Sequence, residues 1–215
     1  MGKLSQAGTV FFDLDGTLTD PKEGITRCIQ YALEKLEVEA PSQDDLEWCI
    51  GPPLYHSMEV LVGVDRVTAA VDLYRERFAD VGWSENVPYT DIEGTLGHLR
   101  ERDVRLYVAT SKPHVFARRI LDHFELSHYF HGIYGSELDG THSNKADLLR
   151  YARQHAGVTG HAAMIGDREH DVIGALANDI EAIGVTYGYG DYSELEAAGA
   201  HHIVDTPHAI RECFG

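Results

Sequence analysis

The chain has 215 residues, of which 43% are hydrophobic and 25% are charged, a composition typical of folded globular proteins that excludes disorder. Its 18 Lys and Arg residues stand against 35 Asp and Glu residues, a formal net charge of −17, so nucleic acid polymers and anionic membrane surfaces would be repelled. No apolar run reaches the roughly 20 residues of a membrane span. Residues 1–10 lack the apolar stretch of a secretory signal, and we expect a cytoplasmic protein.

The first predicted element is a buried strand that ends in two acidic residues. In the sequence VFFDLDGTLTD, residues 10–20, an apolar run leads into Asp13 and Asp15. Residues i and i+2 of a strand point to the same side, so the two carboxylates would share one small volume and require a cation or a proton between them. The alternative is that the two Asp residues merely end the strand and begin a turn with Gly16.

A helical block is predicted next, over residues 20–84. Apolar residues recur at helical spacing over 25–36, with Asp20 as the predicted N-cap and Pro21 at the first helical position. Three further helices are predicted over residues 42–50, 54–62 and 66–78. A rigid loop of Gly51, Pro52 and Pro53 breaks the helical pattern, and we expect it to select the substrate.

From residue 85 onwards, strands alternate with helices. Strands are predicted over residues 105–110, 132–136, 162–167 and 181–186, with a short edge strand at 202–205. This alternation is typical of an α/β fold with a doubly wound parallel sheet. We therefore expect one domain formed by residues 1–19 and 85–215, into which a helical cap of residues 20–84 is inserted.

Polar residues follow the predicted strands, at the edge where ligands bind in such sheets. Thr110 and Ser111 follow the second strand, Asp167 and Asp171 follow a later one, and Lys145 is predicted in the first turn of the helix before it. Several carboxylate oxygens around one crevice suit Mg²⁺, whereas zinc would require His or Cys ligands. Lys112 and Arg168 also lie near these strand ends and are interpreted as solvated surface residues.

Four motifs in this order, DLDGT, ATSK, a downstream Lys and GDREHD, resemble the haloacid dehalogenase superfamily of phosphatases, and the match spans nearly the whole chain. The resemblance implies a Rossmann-like core with an inserted helical cap. It implies the nucleophile Asp13, the acid and base Asp15, a phosphoryl group bound by Thr110 and clamped by Lys145, and Mg²⁺ as cofactor. The implied metal ligands are Asp13, Asp15, Asp167 and Asp171, and the implied substrate-binding residues are Gly16, Thr17, Ser111, Gly51, Pro52 and Pro53.

The motifs DLDGTLTDPKEGI, IGPPL and YGSELDGTHSNK more narrowly resemble a branch related to phosphoglycolate phosphatases and described as nucleoside 5′-monophosphatases. The predicted function is therefore magnesium-dependent hydrolysis of a small phosphomonoester, foremost a nucleoside 5′-monophosphate. Phosphoglycolate and sugar phosphates are the alternative substrates. A phosphate-binding or signalling module, such as a response-regulator receiver, is the alternative outside the enzymes; it would hold an aspartyl phosphate far longer than an enzyme does.

Overall fold

The structure is a computed structural model and describes residues 8–214. Six parallel strands form one sheet in the order β5-β4-β1-β6-β7-β8. The strands of this sheet are β1 (Thr9–Phe12), β4 (Arg105–Pro113), β5 (Gly132–Ser136), β6 (Ala162–Gly166), β7 (Glu181–Val185) and β8 (His202–Val204). A separate two-stranded sheet consists of β2 (Thr19–Asp20) and β3 (Val87–Pro88).

The first strand lies in the middle of the large sheet. Val10, Phe11 and Phe12 are fully buried, because a parallel sheet is covered on both faces and its central strand is therefore apolar throughout. Phe12 is in register with Val108 of β4 and Ile165 of β6. After β1, the chain adds β4 and β5 on one side of this strand and then adds β6, β7 and β8 on its other side. The strand order thus reverses at β1, which is where ligands bind in doubly wound sheets.

Helices flank this sheet and complete the predicted α/β architecture. They are α4 (Ile92–Glu101), α5 (His114–His123), α6 (Lys145–His155), α7 (Glu169–Leu176), α8 (Tyr192–Ala198) and α9 (Pro207–Cys213), with a short 3₁₀ helix at Ser127–Tyr129. One core cluster joins Phe11 and Met164 of the sheet to Leu148 and Leu149 of α6 and to Val172 of α7. The doubly wound parallel sheet predicted from the sequence is confirmed.

A separate compact unit runs from Pro21 to Val87, and its regular secondary structure is helical apart from part of β3. It contains α1 (Lys22–Lys35), α2 (Leu54–Val62), α3 (Val67–Asp80) and two 3₁₀ helices at Asp44–Cys49 and Gly82–Ser84. Helix α1 packs on α3. Both tryptophans of the chain, Trp48 and Trp83, belong to this unit.

The two compact units meet along the chain at 20/21 and 87/88, slightly later than the predicted boundaries at 19/20 and 84/85. We refer to residues up to Asp20 together with those from Pro88 as the sheet unit, and to the remainder as the helical unit. Residues 1–7 and Gly215, which the sequence assigns to the sheet domain, lie outside the described residues. Among residues 8–214, no helix combines the length and the apolar character needed to cross a bilayer.

Three local expectations were wrong. Helix α1 begins at Lys22 with Pro21 as N-cap and without a side-chain capping bond, because the Asp20 carboxylate accepts a hydrogen bond from the Tyr189 hydroxyl. The segment Asp44–Cys49 is a six-residue 3₁₀ helix in place of the predicted α-helix, and Gly51, Pro52 and Pro53, which follow its C-cap Ile50, prevent its continuation. Strand β4 continues to Pro113, with an irregular register after Thr110.

The helical unit contains a charge network around Glu85. Arg77 donates two hydrogen bonds to this carboxylate at 2.7 and 3.0 Å, and Arg27 donates a third at 3.0 Å. The Glu85 backbone carbonyl also accepts from Gly24 N of α1 at 3.0 Å. Hydrogen bonds from Arg77 lower the pKa of Glu85, so its contribution to stability is present above its unfolded-state pKa and is lost as the pH falls.

We expect Glu85→Ala to reduce the free energy of unfolding by about 1–3 kcal/mol at pH 7, since three charge-assisted hydrogen bonds are lost and Arg77 loses its carboxylate partner. Arg27 keeps its ion pair with Glu23. The measurement is urea denaturation followed by tryptophan fluorescence at pH 7 and pH 4, and the deficit should shrink at pH 4. Glu59→Ala, at an exposed position of α2, is the matched control. If both variants lost the same free energy of unfolding at pH 7, the stabilising role of the network around Glu85 would be contradicted.

Candidate active site

Three buried carboxylates converge at the end of β1. Asp13 directly follows β1, Asp167 follows the adjacent β6, and Asp171 lies in the first turn of α7. One oxygen of each lies within 4.8 Å of the others, and all three residues are at least 95% buried. Because the carboxyl ends of neighbouring parallel strands share one edge of the sheet, these acids meet although they are distant in sequence.

A buried lysine neutralises part of this charge. Lys145 is the first residue of α6, whose N-cap Asn144 accepts hydrogen bonds from two backbone N–H groups of the first turn. The Lys145 ammonium lies 2.7 Å from Asp171 Oδ1 and 3.1 Å from Asp13 Oδ1, and it donates to the Ala109 carbonyl at 3.0 Å. Burial alone would lower the pKa of Lys145, but the charges of Asp13 and Asp171 raise it overall, so this lysine is cationic.

The structure contains a second ammonium group that the sequence analysis missed. Lys112, interpreted above as a solvated residue, is 91% buried, and its Nζ lies 2.6 Å from Asp15 Oδ2. Thr110 Oγ1 accepts a hydrogen bond from Lys112 N at 3.3 Å. The spacing of Thr110 and Lys112 was the available signal, since residues two apart on a strand point to the same side. Ending the predicted strand at residue 110 concealed it.

Asp15 has a different partner from the three acids. Its Oδ2 pairs with Lys112, and its Oδ1 is buried without a hydrogen-bond partner among the described residues. Burial raises the pKa of Asp15, and the Lys112 ammonium opposes this rise. A metal role for the Asp15 carboxylate and its role as acid and base both stay predictions.

The turn after β1 holds two further predicted residues against Asp167. Thr17 Oγ1 donates to Asp167 Oδ1 at 3.3 Å. Gly16 has a φ of +80°, and a Cβ at this position would overlap the Asp167 carboxylate, so only glycine allows the approach.

The remaining predicted residues have other surroundings. Ser111 is half-buried in β4, and its carbonyl accepts a hydrogen bond from Ser136 Oγ at 2.8 Å. Arg168 forms an ion pair with Glu194 at 2.8 Å. Gly51, Pro52 and Pro53 lie in the helical unit, between its first 3₁₀ helix and α2. Their role in substrate selection stays a prediction.

The charges of the site fit a divalent cation. Four carboxylates, Asp13, Asp15, Asp167 and Asp171, are opposed by two ammonium groups, those of Lys112 and Lys145, which leaves a formal charge of −2. Burial, followed by the charges of Asp171 and Asp13, raises the pKa of Asp167 well above its usual range, and burial raises the pKa of Asp171 to about 6. An oxygen-only donor set of this kind suits Mg²⁺.

A comparison with protein families identifies the chain. Residues 10–185 match the family model described as "Haloacid dehalogenase-like hydrolase". The chain belongs to this family. The family match contains all the acids and both lysines of the site.

Two relatives and one solved structure illustrate what this haloacid dehalogenase-like hydrolase is similar to. It is 47% identical to a "5′-nucleotidase" of Pseudomonas aeruginosa, with 94% of this chain and 93% of the relative covered. It is 38% identical to "Tyrosine-protein kinase PtkA" of Mycobacterium tuberculosis, with 96% and 72% covered. A predicted phosphatase from Clostridium acetobutylicum has a TM-score of 0.91 at 45% identity, with 95% and 96% covered. These findings make the chain a phosphatase of the family.

The raised pKa of Asp167 predicts a conflict between stability and metal binding. Because the folded protein binds this proton more tightly than the unfolded chain does, metal-free protein should gain stability as the pH falls from 8 towards 5. Asp167→Asn removes the buried charge, so we expect it to stabilise the metal-free protein at pH 8 by about 0.5–2 kcal/mol. The measurement is thermal denaturation in EDTA across this pH range.

The same variant should gain no stability from added Mg²⁺, whereas the wild type should. Asp65→Asn, the same change at an exposed position of the helical unit, is the matched control and should alter neither result. The explanation fails if Asp167→Asn is less stable than the wild type at pH 8 in EDTA.

Proposed function

We propose that the protein is a magnesium-dependent phosphomonoesterase that hydrolyses nucleoside 5′-monophosphates through an aspartyl phosphate on Asp13. The observation that carries the proposal is the contact of Asp13 with Lys145 beside two further buried acids, at the point where the strand order reverses. The nucleotide substrate is supported by the 47% identity to a relative named 5′-nucleotidase. Magnesium would be held by Asp13, Asp167 and Asp171 and would supply positive charge to the phosphate oxygens.

Asp13 is oriented as a nucleophile by its neighbours. Its Oδ1 accepts a hydrogen bond from Leu14 N at 2.7 Å and lies 3.1 Å from Lys145 Nζ. With Oδ1 held in this way, Oδ2 is the oxygen assigned to attack phosphorus. A carboxylate is ionised at neutral pH, so the attack requires no base. The Lys145 ammonium and the Thr110 hydroxyl would bind the oxygens of the transferred phosphoryl group.

Asp15 moves the proton in both steps. As the bond from Asp13 to phosphorus forms and the ester bond breaks, Asp15 donates its proton to the leaving nucleoside oxygen. Water then attacks phosphorus, gives a proton to Asp15, and displaces the Asp13 carboxylate, which releases phosphate. Burial raises the pKa of Asp15 and so favours the protonated form that the first step needs, while Lys112 keeps deprotonation within reach.

Three alternatives to this function differ from it in the fate of the phosphoryl group or in the leaving group. Phosphoglycolate or sugar phosphates would use the same chemistry in the sheet unit with a different leaving group. Transfer of a phosphoryl group to a protein tyrosine is favoured by the 38% identity to a relative named as a tyrosine kinase. A signalling module would keep the phosphoryl group on Asp13, because it lacks rapid attack by water.

The decisive experiment measures phosphate release from nucleoside monophosphates, phosphoglycolate, sugar phosphates and p-nitrophenyl phosphate, with Mg²⁺ and with excess EDTA. We expect the nucleotides to give the highest kcat/KM, and EDTA to stop the reaction. Asp13→Asn should lower kcat at least roughly 1,000-fold while circular dichroism stays unchanged, because an amide is a poor nucleophile. Asp122→Asn, at an exposed position of α5, is the control. Turnover by Asp13→Asn near the wild-type rate would refute the mechanism.

The contact between Lys112 and Asp15 predicts a change in the pH profile. Without the Lys112 ammonium, the largest influence that opposes burial is lost and only the weaker one of the Lys145 charge remains, so the pKa of Asp15 rises further. The pH range in which both the protonated and the deprotonated form of Asp15 are populated then moves upwards. Lys112→Met should therefore move the profile of kcat to higher pH and lower kcat at pH 6 by up to roughly tenfold, the factor that corresponds to a displacement of about one pH unit. Lys35→Met, an exposed lysine of α1, should leave the profile unchanged. A Lys112→Met profile that coincides with that of the wild type would contradict this role.

A further inference from the structure

A loop after β7 packs directly against the turn that follows β1. This loop has the sequence TYGYG and spans residues 186–190. A Cβ at Gly188 would overlap the Gly16 carbonyl and the Asp167 side chain, and a Cβ at Gly190 would overlap the Asp167 carbonyl. The two glycines therefore allow a backbone approach that no other residue permits, and they bring the loop onto a predicted metal ligand.

Tyr189 contacts this ligand directly. Its backbone N–H donates to Asp167 Oδ2 at 2.9 Å, while the Thr17 hydroxyl donates to Asp167 Oδ1. Each oxygen of the carboxylate thus accepts one hydrogen bond from the protein. Such partners fix the orientation in which a carboxylate presents its remaining lone pairs to a metal ion.

The side chain of Tyr189 extends to the far end of the turn that follows β1. Its hydroxyl donates to the carboxylate of Asp20, which is half-buried and is the last residue of the sheet unit before the chain enters the helical unit. The Asp20 carboxylate is consequently engaged by the sheet unit and does not cap α1.

Two further tyrosines hold the segment between these contacts. The Tyr187 hydroxyl donates to the Thr17 carbonyl at 3.0 Å. Tyr89, just beyond the return of the chain from the helical unit, donates from its backbone N–H to the Leu18 carbonyl at 3.1 Å, and its ring packs edge-on against Tyr187 at 4.9 Å. The path from Thr17 to Asp20 is therefore fixed at several points.

We propose that Tyr189 is a positioning residue that couples the orientation of the Asp167 carboxylate to Asp20. The backbone of Tyr189 holds the carboxylate, and its hydroxyl ties this backbone to the point where the chain leaves the sheet unit. A change in the path of the chain at Asp20 then alters how Asp167 is presented to Mg²⁺. This inference rests on the proposed function only in assigning Asp167 as a metal ligand, and it requires no particular substrate.

The test is a double-mutant cycle read out by calorimetric titration with Mg²⁺ alone. Tyr189→Phe removes one hydroxyl, and we expect it to weaken Mg²⁺ binding roughly three- to tenfold, less than the roughly 10- to 100-fold typical of a direct partner of a ligand. Asp20→Ala should weaken binding to the same extent. Because both changes break one contact, the double variant should be no weaker than either single variant.

Two controls separate this role from general stabilisation. Asp20→Asn retains an oxygen that accepts from the Tyr189 hydroxyl and should restore most of the affinity lost in Asp20→Ala. Tyr192→Phe removes a hydroxyl from a neighbouring tyrosine that is 58% exposed and should change nothing. A contact that only stabilises the fold would lower the melting temperature of metal-free Tyr189→Phe and leave its Mg²⁺ affinity unchanged; that result would overturn the proposal, as would additive losses in the cycle.

Phosphate release by the same variants distinguishes this inference from the proposed function. If Tyr189→Phe weakens Mg²⁺ binding but the wild type hydrolyses no phosphomonoester, the positioning role is supported and the proposed function fails. If the wild type hydrolyses nucleotides and Tyr189→Phe binds Mg²⁺ normally, the proposed function is supported and the positioning role fails.

Discussion

A surplus of buried negative charge at the end of β1 is the constraint on which the rest of the sheet unit depends. Three carboxylates share a few ångströms of space from which water is largely removed, and a fourth lies close by. Unpaired charges are costly in such a place, so the surrounding elements supply ammonium groups, hydrogen-bond donors and a site for a cation. Lys145 at the start of α6 and Lys112 near the end of β4 are the two ammonium groups.

The elements that carry these groups come from all parts of the chain. Thr17 meets Asp167 across 150 positions, and Asp20 meets Tyr189 across 169. Contacts of such separation carry a large loop-closure entropy cost, which the pairing of the intervening strands helps to offset. The site is consequently a product of the completed sheet, and none of the short motifs in the sequence could assemble it alone.

The sequence was sufficient to predict a feature where a single physical requirement determines the type of residue. The apolar run of β1 predicted a buried strand, and acids at two strand ends predicted side chains that meet at one edge of the sheet, as the sheet order now explains. Binding of a ligand by these acids stays a prediction. Prediction failed where one residue can form either of two interactions and a contact distant in sequence determines which of them forms. Asp20 has the chemistry of an N-cap, but a tyrosine hydroxyl far along the chain engages it instead. Lysine is a residue type that usually lies on the surface, but the irregular extension of β4 buries Lys112 beside Asp15.

The distribution of aromatic residues has a spectroscopic consequence. Both tryptophans, Trp48 and Trp83, belong to the helical unit, whereas tyrosines such as Tyr187 and Tyr189 surround the turn after β1. Excitation that selects tryptophan therefore observes the helical unit alone. Circular dichroism, by contrast, averages over both units. Coincidence of the two signals during unfolding would be a direct criterion for all-or-none behaviour of the whole chain, so the protein carries a natural reporter of whether its two units lose structure together.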